Sequence, residues 1–503
     1  MLICIEKTMA PIEQKRVLDQ RQRFQYAAGL FGLMLPLSTF NAFSYNYVIY
    51  VIGLDELLAS LGTFIGLVCF ALGGVYFGHL TDKIKPTKIG RRRPFIVIGA
   101  PLFAIAFVML WVFPVKCSFS GEVNWPVAIY YWAICIIFCT LYMFVWSPYM
   151  AMLPEISTDE ENRIAITSTQ GLLNMIATVV GLLLPFILLS GVEDPRSALF
   201  HLQDGGRELA LQMQSLSILF SMASVVMLYI TAYYIKEPFL EECQDESISK
   251  DDLPEECIVT EKSFKEQLQD VFKPFKNHEF KWWSYTNFTL NFGMRIPMTI
   301  LMGMLMYVLE LEGIAMIIFL VAVLPFVAIG FNVWNNISKK QGLKKTLTTL
   351  LGLLTIFMGF GAFLLINMVW GLKIAVGFAI VVILVSCLIA LYILPNAIVS
   401  KIIDLEIEDQ IEKNGPFEDI NDRYKFAGKF FGANALILNL SGASAFILIG
   451  MLLDKEDPFI ITLMLPITGI FMLMAFFFAR PINLRRGKVI DVKIDDEETE
   501  DSE

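Results

Sequence analysis

GHLTDKIKPTKIGRRRPF, residues Gly78 to Phe95, crowds Lys83, Lys85, Lys88, Arg91, Arg92 and Arg93 into a short segment between two long apolar runs. Outward from it the chain is mostly apolar. Of 503 residues, 56% are hydrophobic and only 17% charged, and the mean hydropathy is +0.61. A soluble domain averages about 45–50% apolar and roughly 25% charged residues. About 20 apolar residues cross a hydrocarbon core of roughly 30 Å. Twelve such runs occur, over 26–52, 57–80, 94–114, 126–149, 165–190, 212–235, 282–308, 314–334, 346–367, 373–396, 426–452 and 458–480. Lipid offers backbone groups no partner, so each run must be helical. The predicted class is an all-α membrane protein with twelve transmembrane helices.

Basic residues near span ends mark the cytoplasmic face. They gather in the N-terminal segment (Lys7, Lys15, Arg16, Arg21, Arg23) and in the 80–94 loop. They recur in the 335–345 loop (Lys339, Lys340, Lys344, Lys345) and after the last span (Arg480, Arg485, Arg486, Lys488). The loops on the other side together hold only Lys116, Arg196, Arg207, Lys373 and Lys455. This pattern predicts a multi-pass protein of the cell membrane with both termini cytoplasmic. The 78–95 cluster is therefore at least a topology anchor.

The cluster also has an echo. Gly90 followed by Arg91, Arg92 and Arg93 recurs six spans later as Gly342, Leu343, Lys344 and Lys345. That spacing predicts two six-helix bundles in parallel repeat. The expected organisation is a cytoplasmic segment 1–25, a bundle 26–236, a central loop 237–277, a bundle 278–481 and an acidic tail 482–503. The central loop begins acidic and then places Phe264, Leu268, Val271, Phe272 and Phe275 on one helical face. An amphipathic helix on the membrane surface fits this pattern, and so does a solvated linker helix.

Other classes lack their signatures. The eight cysteines include no C-x-x-C, the three histidines lie far apart, and neither a Walker loop nor a G-x-S-x-G motif occurs. The net charge of -10 lies largely in loops and tail, so no nucleic-acid partner is expected. The first 25 residues are too charged for a signal core, and the first span is expected to act as its own insertion signal. A non-enzymatic monomer without cofactor is predicted, with the lipid bilayer and a small solute as its partners.

Twelve spans in two halves with a basic loop between spans 2 and 3 resemble the major facilitator superfamily. Finer motifs resemble its glycoside–pentoside–hexuronide cation symporters, the family of the melibiose carrier and, more distantly, the plant sucrose carriers. Gly78, Asp82, Gly90, Arg91, Arg92, Arg93, Pro94 and Phe95 are similar to the sucrose-carrier pattern. Pro148, Tyr149, Leu153, Pro154, Glu155, Asp159 and Arg163 resemble the stretch after span 4. SKIIDLEIEDQIEKNG, with Asp404, resembles the segment joining spans 10 and 11. The resemblance implies alternating access, with Asp82 and Arg91 to Arg93 as a charge latch that breaks and reforms. A positive-inside anchor alone explains the same residues, and both can hold.

The resemblance also implies charges that this chain lacks. The family's acidic positions in spans 1, 2 and 4 fall on Met34, near Phe70 and Gly74, and on Trp146. Its span 5 arginine falls on or beside Gln170, and its span 11 lysine near Ser441. No Asp or Glu lies well inside any apolar run. A coupling cation, Na⁺ or H⁺, thus lacks its usual carboxylate, and a uniporter is one expectation.

One charge remains deep in a span. Arg295 lies about 13 residues into span 7, on the order of 20 Å along a helix, where an uncompensated arginine costs at least about 2.5–3.5 kcal/mol. Asn287, Asn291 and Arg295 form an i, i+4, i+8 stripe. Facing a central cavity, that stripe would hold an anionic or hydroxyl-rich substrate; snorkelling or carbonyl bonding is the other reading. Asn41 and Tyr45, Tyr142 and Trp146, and Gln170 and Asn174 are the further substrate-binding candidates, with amides and aromatic faces that suit a polyol. The same residues also serve as interhelical glue. Transport of a sugar, glycoside, uronide or related organic anion leads the expectations; lipid or lysolipid movement and a non-transporting membrane sensor remain alternatives.

Overall fold

The computed structural model describes residues 17–83, 87, 89–114, 124–157, 160–190, 205–236, 266, 269, 271–311, 314–366, 368–414, 420–454 and 457–484. Phe264 and Leu268 of the expected amphipathic face, Asp159, and most of the acidic tail lie outside the described residues.

Each of the twelve apolar runs falls on one helix. These are α1 (Gln20–Thr39), α2 (Glu56–Lys83), α3 (Arg93–Met109), α4 (Trp125–Ala151), α5 (Glu160–Ser190) and α6 (Gly205–Tyr234), then α7 (His278–Gly303), α8 (Ile314–Gln341), α9 (Leu343–Phe360), α10 (Trp370–Asn414), α11 (Ile420–Leu452) and α12 (Pro458–Ala479). A single turn, Leu153–Ile156, follows α4. Among the described residues ten helices are long and apolar enough to span; α3 and the apolar Ile314–Val323 part of α8 are shorter. In the first half α2 packs on α4, α1 lies against both α5 and α6, and α3 lies against α4 and α6. In the second half α7 packs on α11 and α12, α9 on α12, and α8 on α10.

The internal repeat is written in matching details. Helices α1 and α7 both begin with a side-chain cap. Asp19 Oδ1 accepts from the Gln22 amide at 2.6 Å, and Asn277 Oδ1 accepts from the Phe280 amide at 2.7 Å. Both carry an interior proline, Pro36 and Pro297, and both loosen to π-helical winding near their far ends, over Phe40–Ser44 and Tyr47–Ile52 in α1 and Met304–Val308 after α7. Proline removes the donor owed to the carbonyl four residues back. For Pro36 that carbonyl is Gly32, and the Ser224 hydroxyl of α6 donates to it at 2.5 Å.

The basic loops match as well. Gly90 and Gly342 both take positive φ, 114° and 81°, just ahead of α3 and α9, a conformation that favours glycine. Arg93 then donates through Nε to the Ala232 carbonyl at 2.6 Å and through Nη2 to the Tyr233 carbonyl at 3.4 Å, at the C-terminal end of α6. Six helices later, Lys344 Nζ donates to the Arg480 carbonyl at 2.8 Å, at the end of α12. In each half a basic residue that opens the third helix thus caps the sixth, where cations stabilise unsatisfied carbonyls. Charges so placed contribute up to about 2 kcal/mol. Arg93→Ala is therefore expected to lower thermal stability in detergent by about 1–2 kcal/mol, read as a drop in melting temperature, with Arg93→Lys recovering part of it.

Several contacts between the halves lie at the ends remote from the basic loops. Tyr50, in the π-helical winding beyond α1, stacks with Tyr307, at 6.2 Å between centroids and 24° between planes. Tyr45 meets Phe446 of α11 at 5.5 Å. Gly450 of α11 lies against the Ser60 side chain, and a Cβ there would stand 3.1 Å from the Glu56 carbonyl. With α2 packed on α11, this end of the molecule is closed.

Candidate functional site

Arg295 follows His278 by seventeen positions in a helical span of 31 residues, His278–Val308. Its guanidinium lies over the Phe446 ring, 5.5 Å from the centroid. Gly442, one turn earlier on α11, makes room: a Cβ there would stand 3.4 Å from Nη2 and 3.5 Å from Nε. Phe446 also meets Tyr45, tilted at 5.5 Å between centroids, and the Tyr45 hydroxyl accepts from Ser60 at 3.3 Å. Arg295, Phe446 and Tyr45 therefore form one arc across α7, α11 and α1. An arginine over an aromatic face gains about 0.5–2 kcal/mol of cation–π attraction, and its planar fork matches carboxylate and phosphate geometry. The arc can grip an anion edge-on and offer apolar surface beside it.

The rest of the stripe is occupied within its own half. Buried Asn287 donates to Asn434 Oδ1 of α11 at 3.0 Å, and Trp283 Nε1 donates to the same oxygen at 2.9 Å. Asn291 in turn donates to Asn287 Oδ1 at 2.6 Å and to its carbonyl at 2.8 Å. Four residues on two helices form one amide network. Removing the shared acceptor leaves two buried donors, at about 1–3 kcal/mol each. Asn434→Leu is expected to cost roughly 2–5 kcal/mol, seen as loss of monodisperse protein on size exclusion, whereas Asn434→Gln should retain most of the fold.

The first half shows the same economy. Gln170 donates to the Tyr149 hydroxyl at 2.9 Å. Tyr149 donates to the Tyr26 carbonyl and Tyr26 to the Tyr149 carbonyl, both at 2.8 Å, with the rings stacked at 4.8 Å. Asn174 accepts from Thr178 at 3.3 Å, and Thr178 accepts from Ser38 of α1 at 3.4 Å. Asn41 sits on the first π-helical turn of α1 and is exposed.

Tyr142 is enclosed by an apolar stack. It lies parallel to Phe70 at 5.1 Å and to Trp146 at 5.6 Å, and its hydroxyl lies 4.0 Å from Met34 Sδ. Met34, Phe70 and Trp146 are, with Gly74, the places at or near which the resemblance sets the family's carboxylates. The structure brings them together, from α1, α2 and α4, around one ring. The span 11 counterpart Ser441 is buried and donates to its own helix at Leu438.

Among the latch residues, Arg93 reaches α6 within its own half, Arg92 is buried and Arg91 half-buried. The side chains of Asp82, Pro154 and Glu155 lie outside the described residues.

Phe446, Gly442, Asn434 and Tyr149 are the site residues that spacing missed. The run GASAF, residues 442–446, carries the one visible signal, since small residues before an aromatic allow a close helix approach.

The family model described as "MFS/sugar transport protein" matches residues 25–415. An uncharacterized symporter of Synechocystis sp. is 26% identical over 172 residues, 34% of this chain and 31% of that protein. The sodium-dependent lysophosphatidylcholine symporter 1 of Mus musculus is 26% identical over 186 residues, 35% of this chain and 34% of that protein. The chain thus spans about a third of the length of these curated relatives. The solved structure of a bacterial homolog of the human lysosomal transporter Spinster superposes with a TM-score of 0.57 at 12% identity, covering 92% of this chain and 98% of that one. The xylose transporter XylE from E. coli gives 0.55 at 15% identity, over 89% of this chain and 95% of that one.

Proposed function

The chain belongs to the MFS/sugar transport protein family, and on that premise we propose that it is a transporter whose substrate is a phosphate-bearing amphiphile of the lysophospholipid class. The observation that carries this reading is Arg295 lying on Phe446 and, through it, beside Tyr45. One guanidinium suits a phosphate, and the aromatic surface next to it suits an acyl chain.

The amides support the same choice by subtraction. A polyol needs many hydroxyl partners, but Asn287, Asn291 and Gln170 already bond within their bundles. The Met34, Phe70, Tyr142 and Trp146 stack adds apolar wall where a polyol would want donors. Relatives that bear the lysophosphatidylcholine name add weight. A hexuronate is the second reading, favoured by the family description and by Arg295, whose fork fits a carboxylate equally well.

We propose further that flux is not coupled to a cation, because rings and a thioether stand at three of the mapped carboxylate positions and Gly74 at the fourth. In this account the two bundles alternate about a midplane site, and the closed end remote from the basic loops is one limiting state.

Equilibrium binding of radiolabelled lysophosphatidylcholine to the protein in nanodiscs tests the substrate class. Saturable binding, displaced by unlabelled lysolipid and not by a hexuronate, is expected. Displacement by hexuronate alone would replace the lipid reading with the uronide one.

A further inference from the structure

Outside the central site lies a groove of 1270 Å³ on the flank of the first half. That exceeds the roughly 300–1,000 Å³ of a drug-sized ligand pocket. Its floor is the first three turns of α1, with Gln20, Phe24, Gln25 and Ala28. One wall is α5, through Ser168, Thr169 and Leu172, and the other is α6, through Met227, Ile230 and Tyr234. Asp19 and Arg21 stand at the mouth. Phe24, Leu172 and Tyr234 are 57%, 55% and 48% exposed, so the described protein leaves about half of each uncovered.

The groove has a polarity gradient along the membrane normal. Its charged mouth is at the start of α1, on the side of the basic loops, which the charge pattern predicts to be cytoplasmic. From Gln20 to Ala28 is about 12 Å at 1.5 Å per residue, and over that distance the lining passes from charged, through amide and hydroxyl, to aliphatic. The charges at the mouth have both signs. Asp19 uses one oxygen to cap α1, and Arg21 is exposed beside it.

We propose that this groove is a binding site for one zwitterionic glycerophospholipid of the adjacent leaflet. Its phosphate meets Arg21, its cationic headgroup meets Asp19, its glycerol region meets Gln25, Ser168 and Thr169, and one acyl chain lies along Leu172, Met227 and Ile230. An anionic headgroup would gain from Arg21 but would meet Asp19 with like charge. The lipid would bridge α5 and α6, which touch each other far less than each touches α1. Gln170, on the same stretch of α5, turns away from the groove to Tyr149, and Arg295 of the central site lies in the other half.

The test is phospholipid retention by the full chain. The protein would be purified in mild detergent, exchanged with mixed phosphatidylethanolamine and phosphatidylglycerol vesicles, repurified and analysed by native mass spectrometry. About one phosphatidylethanolamine per chain should remain bound. Asp19→Asn keeps the capping oxygen and removes the charge; with Arg21→Gln it should reduce retention at least fivefold. Thr169→Trp, which fills the groove, should do the same, while the melting temperature confirms that each variant is folded. Retention unchanged in both folded variants would overturn the proposal. Equal retention of phosphatidylglycerol would also overturn it, by showing a basic patch rather than a zwitterionic site.

Discussion

Arg295→Ala is expected to cut lysophospholipid transport about 10- to 100-fold, with Arg295→Lys recovering only part of it. A hydrogen bond to a charged partner contributes about 1.5–3 kcal/mol, and each 1.4 kcal/mol is a factor of ten in affinity. Lysine keeps the charge but loses the planar fork and its stacking on Phe446. Because Arg295 is half-buried and bordered by Gly442, the alanine should fold; thermal unfolding close to the parent's would show that substrate affinity, not stability, has changed. Initial uptake rates across substrate concentrations make the measurement. A rise in KM with an unchanged maximal rate would mean ground-state binding alone. Rates equal to the parent's would remove Arg295 from the site.

Gly450→Leu is expected to hold the closed end open. A Cβ at residue 450 would collide with the Ser60 side chain and crowd the Glu56 carbonyl at 3.1 Å, and neither can retreat without moving α2. Overpacking of this kind costs about 1–3 kcal/mol, enough to shift a two-state population roughly 5- to 150-fold. A cysteine placed at Tyr307, in the Tyr50 stack, reports the shift. Its labelling by a membrane-impermeant thiol reagent from the side opposite the basic loops should rise at least fivefold in the Gly450→Leu background, and transport should fall. Unchanged labelling would show that this end does not gate.

The fold was legible because a bilayer imposes a length and a composition on every span. All twelve runs became helices, and the Gly90 and Gly342 echo proved to be a structural repeat with shared positive φ and shared capping of the sixth helix. Helix ends were less legible. α10 continues past its apolar run to Asn414 because nothing in SKIIDLEIEDQIEKN breaks a helix, and π-helical winding at the ends of α1 and α7 leaves no periodic trace.

The site was half legible. Arg295 stood out by its cost in lipid. The partners of its stripe did not, since Asn434 is 147 residues from Asn287 and only the packing of α7 on α11 brings them together. Phe446 is one of 41 phenylalanines, and nothing local distinguishes a ring under a guanidinium from one facing lipid. Met34, Phe70 and Trp146 were separate departures in sequence; in space they are one stack around Tyr142.

Uptake by one proteoliposome preparation, offered radiolabelled lysophosphatidylcholine and a hexuronate in turn, with and without imposed Na⁺ and H⁺ gradients, tests the central claim most directly. Saturable lysolipid flux that no gradient concentrates is expected, with no uronate flux above empty vesicles. Uronate uptake without lysolipid uptake would contradict the substrate class, and gradient-driven accumulation of lysolipid would contradict the uncoupled mechanism.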